Sequence, residues 1–191
     1  MFFFKLRLSK YFIAYLMGFV ALDCFALQRD GQNSCLQLRD SFLARHSENT
    51  YQSLELRAEC EAPSNYSPND IQRLVHLTGN GNRWAAQYLA KNLKQFDGGD
   101  LEDALVGLGK FSTHNMASLM GFLKNGTISE RNFCDALTML PLSISDDQHA
   151  QLVELDVRRR AAIGVKRQDL SVQRKLAIDS IDKFVKEVRP K

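Results

Sequence analysis

Apolar residues recur at helical spacing along most of the chain and predict a series of amphipathic helices. Ile71, Leu74 and Val75 form one apolar stripe, and a second stripe runs from Trp84 to Phe96. Polar cap residues and glycine or proline stops separate such stripes. The predicted helix starts are Ser67-Pro68, Asn82, Asp100, Thr113, Ser129, Ser145 and Asp169, and the predicted ends are Gly79, Gly98-Gly99, Asn125-Gly126, Pro141 and Gly164.

Two segments before Ser67 are also predicted to be helical. Residues 35–46 follow Ser34, with Gln37 at the capping-box position, and carry apolar residues at helical spacing. Residues 53–60 alternate polar and apolar side chains, which is the period of a strand, although most of these residues are good helix formers. The chain offers no convincing partner strand, so we predict a helix and keep a strand as the alternative.

A sequence repeat indicates how the helices are arranged. The segment 101–108 is echoed thirty-two residues later by 133–140, and a third copy beginning at Asp70 aligns with a shift of thirty. Repeats of this length are typical of helical solenoids, whose units cannot bury their apolar faces alone. We therefore predict an all-α fold. It is either a short α-α superhelix of about three hairpins (70–96, 100–124 and 132–157), similar in architecture to HEAT or tetratricopeptide arrays, or an irregular helical bundle.

The first 26 residues have the pattern of a secretory signal peptide. Lys5, Arg7 and Lys10 precede an uncharged apolar run over 11–22, and Ala26 completes a small-residue cleavage site. The run is shorter than the roughly 20 apolar residues that a membrane span needs. We expect export to a bacterial periplasm, or secretion otherwise. Lipidation at Cys24 and a retained N-terminal anchor are the alternatives, and they are the only membrane attachment we consider.

The chain has a small net charge of +3, but its charged residues are unevenly distributed. Residues 158–191 carry eleven Lys/Arg and four Asp/Glu, whereas residues 27–157 have a net charge of −6. This contrast, with the cysteine and repeat positions, divides the exported chain into three parts: an N-terminal helical segment (27–66), a helical-hairpin body (67–157) and a basic C-terminal helical cap (158–191). The basic run is either a contact surface or is docked on the acidic body.

Three cysteines remain after the predicted cleavage, and an oxidising compartment favours their pairing. Cys35 and Cys60 flank the first segment, and we predict a disulfide between them. Cys134 lies beside Phe133 in the repeat, so we expect it to be a buried thiol. No cysteine pair has the close spacing of zinc fingers or ribbons, and we predict no metal site.

Catalytic motifs are poorly represented in the sequence. None of the four histidines belongs to a zincin-type pair, and no nucleophile elbow is present. The segment 107–110, Gly-Leu-Gly-Lys, lacks the strand and spacing of a phosphate-binding loop. We therefore predict no catalytic residues, no enzyme activity and no cofactor.

The remaining function classes are those of a binding protein. We expect an exported protein-binding or inhibitor protein, such as an immunity protein that occludes the active site of a secreted antibacterial toxin. An envelope scaffold or assembly factor is the first alternative, and a cell-wall hydrolase is the second. Nucleic acid is not expected, because stacking aromatics are absent from the basic run. The residues predicted to contact a protein partner are Asn80, Asn82, Trp84, Tyr88, Asp97, Asp100, Asn125, Arg158 and Arg159.

Overall fold

A computed structural model describes residues 35–57, 60 and 66–188. The predicted signal peptide, 1–26, lies outside the described residues. The helices in this part of the chain are α1 (35–45), α2 (Glu48–Glu55), α3 (Pro68–Gly79), α4 (Arg83–Asn92), α5 (Gly98–Lys124), α6 (Glu130–Thr138), α7 (Gln148–Gly164) and α8 (Ser171–Val188). None of these helices is long and apolar enough to cross a membrane.

Local cap chemistry determines where several of these helices begin. Ser67 accepts from the Asp70 backbone N–H in a capping box, with Pro68 at the first helical position, as predicted. Asn82 and Ser129 also cap α4 and α6 through their side chains, as predicted. The other four predicted starts are displaced. Helix α5 begins at Gly98 instead of Asp100, its second half follows the non-helical Asn115 instead of Thr113, Asp147 instead of Ser145 caps α7, and α8 begins at Ser171 instead of Asp169.

Helix α5 is the element around which the others pack. It contacts α3, α4, α6, α7 and α8, and α8 in turn packs against both α6 and α7. In a solenoid each unit contacts only its neighbours. The all-α prediction is confirmed, and of its two architectures the structure is the helical bundle. The repeated pairs Ala104-Leu105 and Ala136-Leu137 are buried in the core, so they serve packing.

Two glycines of α5 allow this central position. A Cβ atom on Gly107 would lie 3.2 Å from the Val75 side chain and carbonyl oxygen of α3. A Cβ atom on Gly109 would lie 2.5 Å from the Ala136 carbonyl oxygen of α6. The segment 107–110 is therefore a place of close helix packing, inside a helix, and has no loop that cradles a phosphate.

A sharp bend divides α5 into two arms. Asn115 has φ −140° and ψ 49°, far from helical values, and its Nδ2 donates to the Gly81 carbonyl oxygen at 3.2 Å. Gly81 has φ +89° and lies in the turn between α3 and α4. The bend therefore forms where the second arm, residues 116–124, turns to run beside α4.

The N-terminal helices are joined to this bundle by aromatic packing and a disulfide. Phe42 and Tyr51 are buried, and their ring centroids lie 5.7 Å apart. Phe42 also packs 6.1 Å from Tyr88 of α4. The Cys35–Cys60 disulfide is present, as predicted. Within 53–60, helix α2 ends at Glu55, Leu56 and Arg57 are not helical, and Cys60 is helical again. The helix prediction therefore holds at both ends of this segment, and residues 58–59 lie outside the described part.

Candidate functional site

The residues predicted to contact a partner do not converge on one surface site. Two of the nine are buried, at 0% exposure, and are not available to a partner: Tyr88 packs among Phe42 and Tyr66, and Arg158 lies in the core. Their assignment as contact residues is wrong. Tyr88 was predicted to contact a partner from its position on the helix that carries Trp84, and Arg158 was predicted to do so because two further arginines follow it.

The other seven residues occupy separate places, most of them at helix ends. Asn80 and Asn82 lie at the α3–α4 turn, where Asn82 caps α4 and donates to the His46 carbonyl oxygen at 3.2 Å. Trp84 stacks on Tyr51 at 5.5 Å and is half-buried. Asp97 and Asp100 lie at the start of α5, and Asn125 ends it. Whether these residues contact a partner stays a prediction.

Arg158 has a structural role that the basic run Arg158-Arg159-Arg160 did not suggest. Its Nη1 donates to the backbone carbonyl oxygens of Ala136, Leu137 and Met139 at 3.2, 3.1 and 2.8 Å. These carbonyls end α6 and have no partner within that helix. A positive charge at a helix C-terminus is favourable. Arg158 therefore terminates α6 from inside the core.

Glu154 keeps the buried guanidinium partly neutralised. Arg158 Nε donates to Glu154 Oε1 at 3.0 Å, and Nη2 lies 2.9 Å from the same oxygen but not in a hydrogen-bonding direction. Burial lowers the pKa of Arg158, while the charge of Glu154 and the hydrogen bond to it raise that pKa. The Glu154 side chain is 27% exposed, so water also reaches this pair.

Arg159 is half-exposed and joins α7 to α8. Its Nε and Nη2 donate to the two carboxylate oxygens of Asp182 at 2.6 and 3.2 Å. Both residues line a surface cavity of about 370 Å³ with Leu152, Asp156, Val185 and Lys186. The hydrogen bonds from Arg159 lower the pKa of Asp182. Arg159 is thus committed to an internal ion pair.

Replacing Asp182 by asparagine should lower the Tm by about 1–3 °C at pH 7, because the forked ion pair between α7 and α8 is lost. The lowered pKa means that this stabilisation is present above the ordinary aspartate pKa of about 4 and fades as the pH falls through the folded-state value. Thermal melts of both proteins from pH 7 to pH 3 should therefore converge at acid pH. A Tm difference that stays constant below pH 4 would contradict the assignment.

A polar surface site lies between α4 and the second arm of α5. One cavity, of about 360 Å³, is lined from α4 by Arg83 and Gln87 and from the α5 arm by small residues that include Ser118 and Gly121. A second, of about 390 Å³, continues along α4 to Lys91 and Lys94. The cavities share three lining residues: Gln87, Asn125 and Thr127. We call these two adjoining cavities the basic groove.

Helix periodicity explains how α4 forms one wall of the basic groove. Arg83, Gln87 and Lys91 follow one another at intervals of four residues, which places them on one face of α4. Lys94 follows three residues after Lys91, in the 3-10 turn Leu93–Gln95 that continues α4. The opposite face of α4 carries its buried residues, among them Ala85, Tyr88 and Leu89. The α5–α6 turn, with Gly126 at φ +75°, brings Asn125 and Thr127 against this polar face.

Cations dominate the lining of the basic groove. Its described lining residues include five basic side chains, Arg83, Lys91, Lys94, Lys124 and Arg167, and a single carboxylate, that of Glu55. Lys91 Nζ lies 3.1 Å from Glu55. Lys124 and Arg167 both pair with Asp169, each at 2.8 Å. Arg83 packs over the Trp84 ring at 5.3 Å, and within the described residues neither it nor Lys94 forms an ion pair.

Of the residues predicted from the sequence to contact a partner, Asn125 alone lines the basic groove, and none of the groove cations was among them. These side chains come from α4, from the end of α5 and from the α7–α8 connection, so no local basic run marks them. The one detectable signal was the spacing of Arg83, Gln87 and Lys91 on the polar face of α4. No three His, Cys, Asp or Glu side chains of the described residues are arranged to hold a metal ion.

No protein-family model, curated protein or solved structure matches this chain. The functional proposals therefore rest on the geometry and charge of the basic groove.

Proposed function

We propose that this protein binds an acidic partner protein through the basic groove and inhibits that partner by occlusion. The observation that carries the proposal is the charge of the groove, five cations against one carboxylate among its described lining residues. Four of these cations belong to residues 27–157, which have a net charge of −6. Complementary charge favours association with an acidic surface and raises the rate of encounter. The partner class we favour is an exported protein, such as an antibacterial toxin blocked by its immunity protein.

The composition of the groove suits a protein surface. Its lining combines cationic, amide and hydroxyl side chains with small residues such as Ala117 and Gly121. A Cβ atom on Gly121 would meet nothing within 4 Å, so this wall is open to an approaching chain. Among the described lining residues, Glu55 alone has a carboxylate. That gives no support to the paired-carboxylate chemistry of a cell-wall hydrolase.

The alternative of a scaffold that uses its basic C-terminal helices has weaker support. Of the arginines in that region, Arg158 is buried, Arg159 pairs with Asp182 and Arg160 pairs with Asp156. Arg174 donates to the Val165 carbonyl oxygen at 2.7 Å. The contacts of Arg159 and Arg174 hold the α7–α8 hairpin together, and all four arginines have internal partners, which reduces what this region offers to another protein.

The double substitution Arg83→Glu with Lys94→Glu should abolish partner capture, because it reverses the two groove cations that form no ion pair in the part of the chain that the structure describes. Tagged wild-type protein and the variant would be incubated with an extract of the source cell, and captured proteins would be identified by mass spectrometry. We expect an acidic protein that the wild type retains and the variant loses, a difference of at least about tenfold in Kd for two reversed charges at an interface.

A matched control distinguishes the groove from overall charge. Lys175→Glu with Lys183→Glu makes the same change in net charge at two exposed positions of α8 that line neither cavity of the groove. This control should capture the same protein as the wild type. Equal loss in both variants, or equal capture by both, would contradict the proposal.

A further inference from the structure

Two cations of the basic groove, Lys124 and Arg167, are paired with a carboxylate of the chain itself, that of Asp169. Asp169 lies in the connection between α7 and α8. Lys124 Nζ donates to its Oδ2 at 2.8 Å, and Arg167 donates to Oδ2 and Oδ1 at 2.8 and 3.2 Å. These two cations line the first cavity of the groove, whereas Asp169 does not. Lys124 and Arg167 therefore form a carboxylate-binding site that the side chain of Asp169 occupies.

This ion-pair arrangement is exposed enough to exchange its occupant. The side chains of Lys124, Asp169 and Arg167 are 44%, 45% and 59% exposed. Exposed ion pairs contribute little net free energy, since water and salt compete for both partners. A carboxylate from another chain can therefore replace Asp169 at a small cost in free energy. Further contacts of that chain with the groove offset this cost.

Further contacts are available along α4. The groove continues from Arg83 to Lys94, two cations about 17 Å apart along the helix and its terminal 3-10 turn. Five residues of an extended chain span the same distance, at about 3.4 Å per residue. A segment of about six residues therefore reaches both ends of the groove.

We propose that the basic groove binds a polypeptide segment with several acidic side chains, one of which replaces Asp169 between Lys124 and Arg167. This inference rests on the proposed function and adds the chemistry of the partner segment. Asp169 acts as an internal competitor. A segment with a single carboxylate replaces one ion pair by another, so its net gain in binding free energy is small. Additional carboxylates form new ion pairs with Arg83 and Lys94. Asp169 thereby selects for segments with several negative charges.

The test measures binding of two synthetic peptides by NMR titration of the full chain. Hexaglutamate is the multiply charged probe, and a hexaserine peptide with one serine replaced by glutamate is the singly charged probe. The wild type should bind hexaglutamate at least about tenfold more tightly than the singly charged peptide. Asp169→Asn should tighten binding of the singly charged peptide about three- to fivefold, because its carboxylate no longer competes with Asp169.

Two controls keep this test decisive. Asp169→Glu retains the internal carboxylate and should restore wild-type affinities. The second control measures amide hydrogen exchange of the wild-type protein. Hexaglutamate should raise the exchange rate in the Gln168–Leu170 turn, because it releases Asp169 from its ion pairs. Unchanged affinity in Asp169→Asn, or unchanged exchange in that turn, would overturn the inference. Partner capture that depends on Arg83 and Lys94 would still support the proposed function in that case.

Discussion

Replacing Gly109 by alanine should lower the free energy of unfolding by about 3–4 kcal/mol, at the upper end of what overpacking costs. The added Cβ atom would lie 2.5 Å from the Ala136 carbonyl oxygen and 2.6 Å from Arg158 Nη1. One of these atoms is helix backbone, and the other is a guanidinium held by three carbonyls. Neither can move aside cheaply, so α5 has to separate from α6 and α7.

Urea denaturation followed by circular dichroism at 222 nm measures this effect. Gly121→Ala is the matched control, since it makes the same change in the same helix where a Cβ atom would meet nothing within 4 Å. That control should be neutral or stabilise the protein by up to about 1 kcal/mol through helix propensity. Similar unfolding free energies for the two variants would contradict the packing role of Gly109.

Gly107→Ala should fall between these two variants. Its Cβ atom would lie 3.2 Å from the Val75 side chain and the Val75 carbonyl oxygen, a tighter contact than usual but less severe than at Gly109. A small outward movement of α3 relieves it, so we expect a loss of about 1–2 kcal/mol in the same measurement. A loss of unfolding free energy as large as that of Gly109→Ala would show that α3 cannot move away from α5.

Sequence patterns predict the features of this fold that depend on a few neighbouring residues. The caps at Ser67, Asn82 and Ser129 follow from side chains that satisfy nearby backbone N–H groups. The Cys35–Cys60 pairing follows from the small number of cysteines. The predicted helix start at Thr113 lies two residues before the bend, but the position of the bend at Asn115 depends on a contact with Gly81, 34 residues away.

The basic groove illustrates the same limit for the candidate site. The polar face of α4 is visible in the spacing of Arg83, Lys91 and Lys94, yet any solvated helix has such a face. The groove exists only because Lys124 and Arg167 are brought beside it by the bend of α5 and by the α7–α8 connection. Positions so far apart in sequence become one site only after the helices have packed.

At Arg158 the sequence contains two conflicting patterns, one that indicates burial and one that indicates exposure. Arg158 shares a helix face with Leu155 and Ala162, three residues before and four after, and both of these are fully buried. Apolar periodicity therefore placed position 158 in the core. The run of three arginines indicated a surface instead, because charged side chains are rarely buried without partners. The three carbonyls that resolve this conflict belong to another helix.

Replacing Arg158 by alanine should lower the free energy of unfolding by about 4–5 kcal/mol, the largest effect we expect. The substitution leaves the carbonyl oxygens of Ala136, Leu137 and Met139 without their donor and opens a cavity between α6 and α7. Glu154 contributes less to the loss, because its side chain is 27% exposed and regains water. Urea denaturation of the variant provides the measurement.

Arg158→Met separates packing from hydrogen bonding, because methionine refills most of the volume but donates nothing to α6. We expect it to recover roughly half of the loss. Full recovery would show that the carbonyls do not need the guanidinium.

The coupling between Arg158 and Gly109 tests whether both act at one contact. Gly109→Ala should cost about 1–2 kcal/mol less in the Arg158→Ala background, because the clash with Nη1 is gone and only the Ala136 carbonyl remains. Additive losses would mean that the two residues stabilise α5 independently. A positive coupling would establish that the absence of a side chain at 109 is what admits the arginine that ends α6.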